Sequence, residues 1–240
     1  MLDEDDDSAD EAPAGDGRVK SAAEKKAEML IRRQRRNMRK SFANGYLAGV
    51  SAMLRKGDLA IDCGANMGVV TDVLAKTGAD VIAFEPDPWT FAKLQERFAD
   101  AANVTLINAA VGIGSGTVRL MRAAGFDDNP SGASVKSTIL DGGRQIDAAN
   151  AVDVPLIDFP GFLNEELAKR SEVAFIKMDI EGAELDILER MDSDALFDRV
   201  RVLVAETHER KFRDLRPRYR DLRKTFAEKY DPNRVSLDWI

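Results

Sequence analysis

Short apolar runs alternate with stretches of helical period along most of this chain. Leu59–Ile61 is apolar and ends on Asp62, and Val70, Val73 and Leu74 follow at steps of three and four, the period of one buried helix face. Val81–Phe84 is apolar again and ends on Glu85. Asp87-Pro88 then marks a helix start, a capping carboxylate followed by proline at the first helical position. Phe91, Leu94 and Phe98 give that helix its buried side. Further strands are predicted over Val104–Asn108, Thr117–Met121, Val152–Ile157, Val173–Met178 (broken only by Lys177) and Val200–Ala205, with a closing strand over 235–240. Helices are predicted over Phe162–Arg170, beyond Gly182 with Leu185, Leu188 and Met191 inward, and around Tyr219, Leu222 and Phe226. Strands alternating with helices imply a doubly wound, parallel α/β sheet.

The amino-terminal part follows another pattern. Residues 1–17 carry Asp3, Glu4, Asp5, Asp6, Asp7, Asp10, Glu11 and Asp16 with little apolar content, so disorder is expected there. Residues 18–56 turn basic, with Arg32, Arg33, Arg35, Arg36, Arg39 and Lys40. Their apolar steps predict a helical extension interrupted near Gly45. The main domain then runs over 57–240. The stretch 125–145 is rich in turn residues and lacks a period, as a functional lid or an insertion would be.

The formal net charge of −7 is accounted for by the acidic stretch, and the rest of the chain is close to neutral. That disfavours a broad nucleic-acid footprint. The arginines suit an arm for RNA or acidic lipid, or a solvated helix face, and the packing stripe on the same helix favours the solvated face. A single cysteine, Cys63, excludes an internal disulfide. No run approaches the roughly 18 apolar residues of a membrane span, and no apolar leader is visible, so a cytoplasmic location is expected.

The chemistry concentrates around Asp62–Glu85. Strand, glycine-bearing turn, helix, strand and terminal carboxylate make a βαβ nucleotide-binding unit. Gly64 and Gly68 are expected to let a ligand approach the backbone, and Glu85 to accept bonds from both hydroxyls of a ribose. Asn66 stands where the dinucleotide fingerprint needs its central glycine, and no Lys or Arg lies in the turn to meet a pyrophosphate. A cationic ligand without phosphate, S-adenosylmethionine, suits such a turn, with Asp62 near its amino-acid end. A nucleotide-dependent oxidoreductase is the alternative that Asn66 opposes.

Asn108, Asp179 with Glu181, and Glu206 with His208 also close apolar runs where an open α/β sheet binds its ligands. Asn108 suits either an adenine edge or a turn. Terminal carboxylates often cap turns, and a lone histidine more often packs than reacts. His208, the only histidine, lies two residues beyond Glu206, so both side chains share one face of an extended segment. With Asp179 they can act as a general base on an acceptor hydroxyl or hold a divalent cation; the metal-free form is slightly preferred.

The segments AIDCGANMG, VIAFEPDP, NAAVG, FIKMDIEGAELDILERM and AETHE, in this order, resemble the FkbM family of S-adenosylmethionine-dependent methyltransferases over about 57–211. The resemblance implies a class I methyltransferase fold with a mostly parallel, seven-stranded sheet. It implies cofactor contacts at Asp62, Gly64, Asn66 and Gly68, ribose at Glu85, adenine near Asn108 and the methionine end beside Asp179. It also implies O-methyl transfer to a sugar or another small metabolite; Glu206 and His208, supported by Asp179, are the candidates for deprotonating or orienting the acceptor. An RNA methyltransferase using the arginine-rich helix, or a non-catalytic cofactor-binding protein, are the alternatives.

Overall fold

A computed structural model describes residues 21–130, 134, 137–141 and 146–239. Six strands form one wholly parallel sheet: β1 (Leu59–Cys63), β2 (Asp80–Phe84), β3 (Val104–Ile107), β7 (Val173–Met178), β8 (Val200–Ala205) and β9 (Val235–Ser236). Their order across the sheet is β3-β2-β1-β7-β8-β9. Every residue of β1 and β7 is buried, as covered parallel strands require. The topological switch lies between β1 and β7.

Three more strands, β4 (Ala110–Gly112), β5 (Gly116–Ala123) and β6 (Ile146–Asp158), form a separate sheet ordered β4-β6-β5. Beside β6, β4 runs parallel and β5 antiparallel. The main sheet therefore holds six strands where seven were expected. The chain bends at Asn108-Ala109, directly after β3, and its next strands pair with one another instead. Hydrophobic period predicts a strand; it does not say which sheet the strand joins.

Helix α1 (Ala22–Met53) opens on a capping box: Glu24 N–H donates to Ser21 Oγ at 3.2 Å, and Ser21 N–H to Glu24 Oε2 at 2.7 Å. It runs through Gly45 without the expected break, because Ala43, Leu47 and the half-buried Tyr46 and Val50 hold that stretch against the sheet. Its earlier turns expose Met29, Leu30, Ile31, Met38 and Phe42. The C-terminal half of α1, with α2 (Val69–Ala75) and α3 (Pro88–Arg97), covers one face of the sheet. The other face is covered by α4 (Phe159–Lys169), α5 (Glu184–Ser193) and α6 (Arg216–Lys229), around Phe159, Ile176, Met191, Phe197 and Phe226.

The acidic stretch 1–17 expected to be disordered lies outside the described residues, as does part of 125–145. Among the described residues no helix is long and apolar enough to cross a membrane.

Candidate active site

Backbone hydrogen bonds align the carboxyl ends of five strands in one row. Glu85 N–H donates to Ile107 O, Gly64 N–H to Phe84 O, Asp179 N–H to Cys63 O and Glu206 N–H to Met178 O, all within 2.9–3.1 Å. The polar residues that close the apolar runs therefore emerge side by side. At about 4.8 Å per strand, Glu85 and Asp179 stand about 10 Å apart across β1.

The turn after β1 uses its glycines for packing. Gly64 has φ +79°, and a Cβ there would lie 1.9 Å from the Asp179 carbonyl oxygen. Gly68, at φ +75°, would meet Phe98 and Leu94 at 2.6 and 2.7 Å. The positions a Cβ would take are filled by the neighbouring strand end and by residues on and beside α3. Asn66 also has positive φ, +47°, and its Oδ1 accepts from Ser134 Oγ at 3.0 Å.

Glu85 is buried, and its carboxylate accepts from Asn66 N–H at 2.8 Å and from Asp87 N–H at 2.9 Å. Burial pushes its carboxyl up to about 7, although both backbone donors favour the ionised form. Asn108 Nδ2 donates to the Glu85 and Pro86 carbonyls at 2.8 and 3.0 Å, so its amide nitrogen holds the turn. Asp87 caps α3 by accepting from Trp89 and Thr90 N–H, and pairs with Arg122 at 2.7 Å. Arg122 in turn stacks 4.2 Å over Phe126.

Asp62 lies wholly buried beneath the turn, where Thr71 Oγ1 donates to it at 2.7 Å. Lys177 stands 3.4 Å from Asp62 and 3.5 Å from Asp179, and donates to the Gly64 carbonyl at 2.7 Å. Burial opposes the lysine charge, but Asp62 and Asp179 outweigh it and hold the ammonium form above its ordinary range. One cation thereby ties the ends of β1 and β7.

Beyond β7, Glu181 adopts φ +61° and Gly182 φ +120°. This turn presents Glu181 to Lys211 at 2.8 Å and to His208 Nε2 at 3.5 Å. His208 Nδ1 pairs with Glu184 Oε1 at 3.0 Å, which also accepts from His208 N–H and from Tyr219 Oη at 2.7 Å. Gly182 N–H donates to the other Glu184 oxygen at 2.7 Å. Burial works against a charged imidazole, yet Glu184 and Glu181 hold it well above its ordinary range. Burial, then the Asp179 charge, push the Glu206 carboxyl up. Asp179, Glu206 and His208 each offer a ligand atom within 4.8 Å of the others.

Glu184, Tyr219, Lys177 and Lys211 received no role from the sequence.

A model of the "Methyltransferase FkbM domain" family matches residues 62–231, spanning this whole row of strand ends. The chain belongs to the FkbM methyltransferase domain family. Among curated proteins, the FkbM chain is 29% identical over 154 residues to "Hexuronic acid methyltransferase AglP" of Haloferax volcanii, covering 63% of this chain and 56% of that protein. It is 46% identical over 55 residues to "Ribosomal RNA small subunit methyltransferase A" of Thermotoga neapolitana, covering 23% of this chain and 21% of that one. The match thus spans about half of the first relative and a fifth of the second. A solved SAM-dependent methyltransferase from Agrobacterium tumefaciens overlaps at TM-score 0.30 and 13% identity, over 57% of this chain and 30% of that one.

S-adenosylmethionine is the cofactor that the FkbM assignment supports, and the residues present fit it. The rim offers carboxylates at Glu85, Asp179 and Glu206, and the turn 64–68 carries no Lys or Arg. The nearby cation Lys177 is already shared between Asp62 and Asp179. Such a rim suits a sulfonium and an ammonium better than a phosphate.

Proposed function

We propose that this protein is an S-adenosylmethionine-dependent O-methyltransferase acting on a hydroxyl of a sugar or a comparable small metabolite. The observation that carries it is the row of strand ends, in which Glu85 stands two strands from Asp179 and three from Glu206. Glu85 would hold the ribose hydroxyls, the turn with Gly64, Asn66 and Gly68 would border the cofactor, and Asp62 would act by supporting that turn. Asn108 would border the adenine while holding its turn, and Asp179 would lie beside the methionine end. When bound, S-adenosylmethionine supplies an electrophilic methyl group and a neutral thioether leaving group.

The chain's own contribution is alignment and proton removal. An acceptor hydroxyl seated against Glu206 and His208 would be oriented there and lose its proton as its oxygen bonds the methyl carbon. Glu184 holds Nδ1 and so orients the imidazole, turning Nε2 toward the acceptor. Alignment at about 3–3.5 Å and exclusion of water supply most of the acceleration. The relative that methylates hexuronic acids favours a sugar acceptor. Ser134 against Asn66 and Thr138 against the Glu181 carbonyl bring the 125–145 stretch to the rim, where acceptor choice would reside.

The test is transfer of labelled methyl from S-adenosylmethionine to a panel of uronic acids and neutral glycosides. His208→Ala should lower turnover about a hundredfold or more while leaving affinity for S-adenosylhomocysteine within threefold. Undiminished transfer by that variant would remove His208 from the chemistry.

A ribosomal RNA acceptor is the second reading, favoured by the 55-residue match and the arginine row of α1. It requires RNA binding that weakens steeply with salt and is lost when the arginines are replaced.

A further inference from the structure

We infer that Asp179, Glu206 and His208 form a divalent-cation site, of the kind Mn²⁺ occupies, at the acceptor end of the crevice. This deepens the proposed function and rests on it for its location. Two carboxylates and one imidazole, converging within 4.8 Å, are a mixed oxygen and nitrogen ligand set. They come from the ends of β7 and β8, adjacent parallel strands, so their spacing is set by the sheet.

Two further observations point to a ligand between them. The His208 side chain is only 10% exposed, yet its Nε2 stands 3.9 Å from Asp179 and 3.5 Å from Glu181, too far for a hydrogen bond of normal length. Among the described residues none donates a hydrogen bond to the Glu206 carboxylate, although it stands beside Asp179. A buried imidazole nitrogen and a carboxylate without a hydrogen-bond donor thus face one point.

The support behind the histidine matches this role. Metal-binding imidazoles hand their second nitrogen to a carboxylate, which fixes the ring and raises its basicity. Here Nδ1 meets Glu184, itself held by Tyr219 Oη, Gly182 N–H and His208 N–H. Three protein ligands leave coordination positions open to water or to oxygens of the acceptor. A hydroxyl oxygen held there would have a lowered pKa and release its proton to solvent, with Glu206 serving as ligand rather than proton acceptor.

The full chain, stripped with chelator, is titrated with Mn²⁺ alone, followed by electron paramagnetic resonance and calorimetry. S-adenosylhomocysteine is titrated separately. One saturable Mn²⁺ site is expected, weakened at least tenfold in Glu206→Gln and in Asp179→Asn. Glu209→Gln, outside the ligand set, should bind Mn²⁺ as the parent does. Intact S-adenosylhomocysteine binding without a saturable Mn²⁺ site overturns the cation site and leaves the cofactor assignment standing. Mn²⁺ binding unchanged in both ligand variants overturns it too. Loss of S-adenosylhomocysteine binding in the parent protein would instead sink the underlying function. Retained S-adenosylhomocysteine binding by Glu206→Gln shows that the variant is folded.

Discussion

The ammonium group of Lys177 donates to the carbonyl of Gly64 across 2.7 Å, binding the centre of one strand end to the glycine turn of the next. The same group offsets Asp62, which is fully buried, and Asp179 at the rim. Lys177→Met should therefore cost about 3–5 kcal/mol, since it strands a buried carboxylate. Urea denaturation measures the loss. Adding Asp62→Asn should restore part of it, and full additivity of the two changes would refute the coupling.

Gly64→Ala places a methyl group against a backbone carbonyl at positive φ, and neither strand end can yield. Its expected cost is about 3 kcal/mol or more. Gly78 has a similar φ, +83°, but open space around it. Gly78→Ala should lose only about 1–2 kcal/mol. Equal losses in the two variants would mean that the Asp179 contact carries no weight.

Tyr219→Phe removes a buried donor from Glu184. A hydrogen bond to a charged group contributes about 1.5–3 kcal/mol, and the variant should be destabilised within that range. Thermal melting of parent and variant at one pH is sufficient to check it.

Glu85 predicts a pH dependence of cofactor binding. Ribose hydroxyls donate to the ionised carboxylate, whereas burial holds the free protein's carboxyl near 7. Below about pH 7 the neutral form prevails, so binding must expel a proton and affinity falls as pH drops. Above that value the dependence flattens. Calorimetry with S-adenosylhomocysteine from pH 6 to 8 should show this slope, and Glu85→Gln should abolish it while weakening binding about tenfold. A parent profile flat across that range would contradict the assignment.

The sheet was largely legible because strands buried on both faces read as nearly continuous apolar runs: Val173–Met178 and Val200–Ala205, interrupted only by Lys177 and Arg201, occupy the positions expected of them. The start of α3 was legible from Asp87-Pro88 because capping is local. β6 was read as the shorter Val152–Ile157 because its earlier residues, such as Asp147 and Asn150, are polar; they lie in a register shift, flanked by Ile146 and Ala151, which pair with Ala123 and Met121 of β5. Gly45 suggested a break in α1, but burial on its flanks outweighs one glycine. At the site, the residues ending strands could be named in advance. Lys177 could not, because its partners Asp62 and Gly64 lie more than a hundred residues earlier. Glu184 was equally hidden, its partners being the later His208 and Tyr219.

The excursion that follows Asn108 leaves the main sheet at its β3 edge and rejoins it beside β1 only at Val173. Evolution can lengthen, prune or rebuild such a detour without moving the strands that carry Glu85 and Asp179. Descendants of one ancestor can thus acquire new clients while the shared chemistry stays in place.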